Sequence, residues 1–224
     1  MLKNGNDGEP QSCSAYYREM RSLALSKRAE HGVQTTSLNL TVMRRVYRRE
    51  GITIDRWDLQ GRKIKASYFC DGGDCSVLVN KNLPREPKLF ALAHELKHHY
   101  VDQEILRDGR IRCGDYNRHE FIEKTAEVFG AEFIYPEDEM RELATHLGVT
   151  PRTCSKERIV EFKRACPACV SYTFVVKRFE WFGFCPRGTY DDVHFQKLEE
   201  ELYGLPIYKQ EWFKKQRAQK KRSS

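Results

Sequence analysis

Apolar residues along the chain change their spacing twice, and those changes outline the elements. From Tyr16 to Ala29, the residues Tyr16, Tyr17, Met20, Leu23 and Leu25 follow a helical spacing. Leu38, Leu40, Val42, Met43 and Val46 repeat it over 38–50, and Gly51 is placed to end that helix. The period then shortens. Ile52-Thr53-Ile54-Asp55 alternates, as do Ile64, Ala66 and Tyr68, and Val77 and Val79 resume the alternation after the turn-forming Asp71-Gly72-Gly73-Asp74. Strand, strand, turn and strand therefore lead past Pro84 and Pro87 into an apolar helical run, Leu89 to Tyr100. Further helices are predicted over 120–134, 139–146, 155–165 and 170–182, with a short amphipathic stretch near 195–203.

This order predicts an α+β fold in four parts. Residues 1–12 are a polar, disordered start, and 13–136 form the core. Residues 137–204 form a helical accessory region suited to substrate recognition, and 205–224 a basic tail. With 224 residues, 40% of them hydrophobic, the chain has enough apolar side chains for a packed core. No apolar run approaches the roughly 18 residues that span a membrane, and the start has no apolar signal region. A soluble, cytoplasmic protein is expected.

The formal net charge of +7 is unevenly spread. Residues 208–224 carry seven Lys/Arg against Glu211 alone, which accounts for six of the seven charges. A basic run at a chain end is more often solvated than bound to nucleic acid, so contact between the tail and nucleic acid is a minor expectation. Eight cysteines in a reducing compartment are expected to be free thiols, including Cys70 and Cys75 on either side of the hairpin turn. Cys166-Pro167-Ala168-Cys169 is a C-x-x-C, but with Cys154 and Cys185 its spacing is not that of a usual zinc ribbon.

The chemistry lies in His94-Glu95-Leu96-Lys97-His98, an H-E-x-x-H. Histidines at i and i+4 share one helix face and can grip one zinc ion, with the glutamate beside the first able to act on a metal-bound water. Such short motifs also arise by chance, leaving only an exposed His/Glu helix face. Here the motif sits in an apolar helix, follows strands and precedes a Glu-bearing helix. A hydrolytic zinc needs a third protein ligand. Asp102 is on the same face but about 12 Å along the axis from His94, too far for bonds of about 2 Å. Another element must supply it. Glu123 is the leading choice, because Ala126 and Gly130 behind it would let its helix come close; Glu127 and His119 remain rivals. Tyr100, His99, Tyr116 and His119 are candidates to stabilise a developing oxyanion, and the strand near 75–80 is a candidate to pair with an extended substrate.

Val77-Leu78-Val79-Asn80, Leu83-Pro84 and Phe90 to His98 resemble the core of the ImmA/IrrE-type zinc metallo-endopeptidases. So do Glu123, Ala126, Phe129, Ala131, Phe133-Ile134 and Pro136, which match that family's Glu-x-x-Ala-Asn-x-Phe-Ala-x-x-Leu-Leu-x-Pro pattern. The resemblance covers roughly residues 40–182. Lys97 stands where glycine is usual, Glu127 where asparagine is, and Gly130 where alanine is. The resemblance implies a zincin-like core, with His94, His98 and Glu123 as Zn2+ ligands and Glu95 as the general base. It also implies a protein substrate, typically a DNA-binding helix-turn-helix repressor. The helix-turn-helix flavour of Leu143–Arg152 keeps open a non-catalytic regulator on the same scaffold, and a toxin–antitoxin component is a third reading.

Overall fold

The computed structural model of the protein describes residues 11–59, 64–103, 120–206 and 209–211. Among them are eight helices and three strands, an α+β fold: α1 (Gln11–His31), α2 (Leu40–Arg49), β1 (Ile52–Trp57), β2 (Ala66–Asp71), β3 (Asp74–Asn80), α3 (Arg85–Val101), α4 (Glu120–Ile134), α5 (Glu137–His146), α6 (Lys156–Ala165), α7 (Tyr172–Trp181) and α8 (Phe195–Tyr203). The expected polar start and basic tail fall almost wholly outside the described residues. The chain divides into two compact units, Met1–Glu142 with Cys166–Ser171, and Leu143–Ala165 with Tyr172–Ser224.

In the first unit the sheet runs β1-β3-β2, with β3 parallel to β1 and antiparallel to β2. The β2–β3 turn needs glycine at both central positions, since Gly72 and Gly73 take φ of 57° and 98°. That turn sets Cys70 opposite Cys75. Because Asn80 N–H donates to Lys65 O, the hydrogen-bonded pairs of this ladder include Ser67–Leu78 and Phe69–Ser76, and Cys70–Cys75 falls on a non-hydrogen-bonded pair, where the Cα atoms stand closer. The two sulfurs are bonded, with Cα atoms 4.1 Å apart. The expectation of free thiols is corrected at this pair: the turn makes the cysteines neighbours whatever the compartment. The substrate-pairing role expected for the strand near 75–80 is also corrected. β3 is the middle strand and both of its edges are occupied. Among the described residues, the outer edges of the sheet belong to β1 and β2.

Helix α3 is the centre of this unit. Pro87 sits in its first turn, where a missing N–H costs nothing. From Ala91 to His98 every residue is buried, as is Leu89. Tyr47 of α2 donates its hydroxyl to Leu92 O at 2.7 Å. Helix α4 lies alongside, with Ala126, Phe129 and Phe133 fully buried. The approach is closest at Gly130, where a Cβ would stand 3.1 Å from the backbone nitrogen of His94. The carbonyl of Phe133 at the end of α4, which lacks an intrahelical partner, accepts from the buried Arg28 guanidinium of α1. In the second unit, Phe162 of α6 and Phe179 of α7 pack edge to face with centroids 4.9 Å apart, and Tyr172 stacks on Phe195 of α8.

Candidate metal centre

Burying His94, Glu95, Lys97 and His98 on one helix is costly unless each polar group finds a partner. The partners come from the neighbouring helix and from the end of α3 itself. Glu123, in the first turn of α4, reaches across the close contact that Gly130 permits. Its Oε2 lies 3.1 Å from His94 Nε2 and its Oε1 3.8 Å from His98 Nε2. The two histidine Nε2 atoms are 3.3 Å apart. Ligand atoms on a tetrahedral cation with bonds of about 2.0–2.1 Å stand about 3.4 Å from one another. The two imidazole nitrogens and the Glu123 carboxylate therefore face one point, and His94, His98 and Glu123 form a group that could hold an ion there.

The donor chemistry agrees with the distances. His98 Nδ1–H donates to Asp102 Oδ2 at 2.7 Å, which puts the lone pair of that imidazole on Nε2, towards the other ligand atoms. Burial alone would raise the Glu123 carboxyl. The hydrogen bond with His94 and the fields of His94, His98 and Lys97 reverse that and hold it below its ordinary range, so it stays an anion. Burial likewise works against a charged His94, but the hydrogen bond with Glu123 and the fields of Glu95, Glu123 and Glu127 raise it overall. Negative potential gathers at this point, as a cation site requires. Glu95 is buried at 4% exposure next to His94 in the chain.

Among the rivals for the third position, Glu127 is exposed one turn beyond Glu123, and His119 lies outside the described residues. So does Tyr116. His99 and Tyr100 are engaged on other faces of α3, about 100° and 200° round the axis from His98. Tyr100 donates its hydroxyl to Glu50 Oε1 at 2.8 Å, and His99 Nδ1 lies 2.9 Å from the Tyr68 hydroxyl. Asp102 is not a ligand, yet sequence reasoning missed its contact with His98. The His98-to-Asp102 spacing of four, the same spacing that made the histidine pair visible, was the available signal. Cys154, Cys166, Cys169 and Cys185 form no disulfide, and no group of three or more metal-ligating side chains among the described residues includes a cysteine.

An H-E-x-x-H helix beneath a small mixed sheet, meeting a glutamate from a second helix, defines a metallopeptidase-like scaffold. The family model described as Peptidase_M78, IrrE N-terminal-like domain, matches residues 29–158, more than half of the chain, and the protein belongs to that family. No curated protein matched the chain. No helix among the described residues is long and apolar enough to cross a membrane.

Proposed function

We propose that the protein is a zinc-dependent endopeptidase in which His94, His98 and Glu123 hold the metal and Glu95 is the general base. The observation that carries this reading is the convergence of two imidazole nitrogens and the Glu123 carboxylate, with contacts of 3.1–3.8 Å between them, a spacing suited to one tetrahedral ion. Bound zinc would acidify its water and polarise the scissile carbonyl. Glu95 accepts the proton of the attacking water and passes it to the departing amine, so the peptide nitrogen leaves neutral. His98 keeps its Nδ1 proton on Asp102 throughout. A donor for the carbonyl oxygen is assigned to Tyr116 or His119, since Tyr100 and His99 are committed to Glu50 and Tyr68.

An extended substrate segment would pair with the free edge of β2, the edge strand whose Tyr68 hydroxyl meets His99 of α3. There the backbone groups of Ala66 and Tyr68 point away from β3. The substrate class we assign is a DNA-binding repressor of the helix-turn-helix type, with the helical region 137–204 contributing recognition. Family resemblance supports that assignment.

The test pairs metal content with cleavage. Glu95→Gln is expected to keep one zinc per chain and lose about 10²–10⁴-fold in hydrolysis of a helix-turn-helix repressor encoded beside this gene. Unchanged hydrolysis in a zinc-loaded Glu95→Gln protein would sink the mechanism.

A further inference from the structure

The H-E-x-x-H pattern leaves its fourth position open, and this chain fills it with a lysine that is 0% exposed. Its ammonium is held by three acceptors. Lys97 Nζ donates to Asp102 Oδ1 at 3.0 Å and Oδ2 at 2.7 Å, and it lies 3.4 Å from the carbonyl of Ile122. Those contacts sit next to two different ligands. Asp102 Oδ2 also accepts from His98 Nδ1, and Ile122 directly precedes Glu123 in the first turn of α4.

A buried ammonium is expensive, and removing one partner of such a pair leaves the other charge buried and uncompensated. Asp102 needs it most. Without it, a carboxylate only 2% exposed would be free to turn away from His98, and the His98 imidazole would lose its fixed orientation. Lys97 pins both carboxylate oxygens. It also leaves the Asp102 carboxylate neutralised, so His98 is oriented without a further net negative charge behind the metal.

We propose that Lys97 is a positioning residue of the metal centre, fixing Asp102 against His98 and joining the end of α3 to the first turn of α4 so that the ligand cage is formed before metal arrives. The proposal rests on the zinc-site reading above.

Two readouts test it without relying on activity: zinc affinity by competition with a chelating dye, and the visible absorption of the cobalt-substituted protein, which reports ligand geometry. Lys97→Met, folded by circular dichroism, is expected to bind zinc about tenfold more weakly, with a shifted cobalt spectrum. Should that variant fail to fold, the double variant Lys97→Met/Asp102→Asn decides, since it removes both charges of the buried pair yet keeps a side-chain oxygen to accept from His98 Nδ1. Its fold is expected to return while zinc affinity stays about 10–100-fold below wild type. A role in stability alone predicts that affinity recovers with the fold. Wild-type affinity and spectrum in either folded variant overturn the role of Lys97 and leave the zinc site standing. A folded wild type that takes up no zinc overturns both.

Discussion

Two clusters of histidine and carboxylate lie around the same helix, and both have the composition of a metal site. His94, His98 and Glu123 form one; Glu30, His31 and Glu50 form the other. The second comes with its own cations and proton donors. Lys27 pairs with Glu30 at 2.8 Å, His31 Nε2 lies 2.7 Å from Glu50 Oε1, and the Tyr100 hydroxyl donates to that same oxygen. Burial would raise the Glu50 carboxyl, but the hydrogen bonds from Tyr100 and His31 and the charge of Lys27 hold it low. Donors and acceptors there are matched, and Glu30 is open to solvent. In the first cluster the donors stand behind the ligands. Asp102 accepts from His98 Nδ1 and Lys97 holds Asp102, so that the two Nε2 atoms and the Glu123 carboxylate face one another. Residue type makes both clusters candidates. The placement of the protons separates them.

The strongest way to break this comparison is to remove one member from each. His94→Ala should abolish stoichiometric zinc, measured by elemental analysis after dialysis, because two ligands are too few for a structural or catalytic zinc. Glu50→Ala should leave zinc content at wild type while costing about 1–3 kcal/mol in urea unfolding, from buried donors left unpaired. Zinc lost from the Glu50 variant and kept by the His94 variant would reverse the assignment.

A smaller effect concerns pH. His94 titrates above its ordinary 6.5 in the metal-free protein. A raised histidine stabilises the metal-free fold fully below the unfolded value, and that contribution is lost as pH rises through the folded value. Metal binding runs the other way, because the ion must displace the His94 proton. Zinc affinity should therefore be full on the alkaline side of the raised value and fall about tenfold per pH unit on its acid side. Chelator competition from mildly acid to mildly alkaline pH checks this, and a flat profile would contradict it.

The smallest expected effect sharpens the geometry. Gly130→Ala gains about 1 kcal/mol of helix propensity but drives a methyl to 3.1 Å from the His94 backbone, which cannot rotate aside. A net loss of about 1 kcal/mol in unfolding is expected, with zinc affinity weakened because α4 carries Glu123 away from α3. A stabilised Gly130→Ala protein would show that the two helices have room to spare.

Much of the fold was legible because its signals are local. The helix over roughly 120–134 was legible from its apolar period and Pro136, and the hairpin from Asp71-Gly72-Gly73-Asp74. The histidine pair was visible for the same reason, since four residues on a helix is a fixed distance. Glu123 was ranked first but not singled out, because its rivals differ from it only in what the helix packs against. The middle position of β3 could not be read from a strand order, and the same alternating pattern suits an edge or a centre.

Buried lysine is the sharpest instance of what sequence withholds. Lys97 occupies a position the motif leaves unspecified, and a lone lysine ordinarily signals a solvated surface. By itself the sequence determined the elements, the family and the two histidines on one face, all of which depend on spacing along a single chain. Only the tertiary structure decided that Glu123 meets them, that Cys70 and Cys75 are joined, and that Lys97 and Asp102 stand behind His98. Each of these depends on which surfaces face each other at a few ångströms, and that follows from the packing of α3 against α4 and the register of β2 on β3.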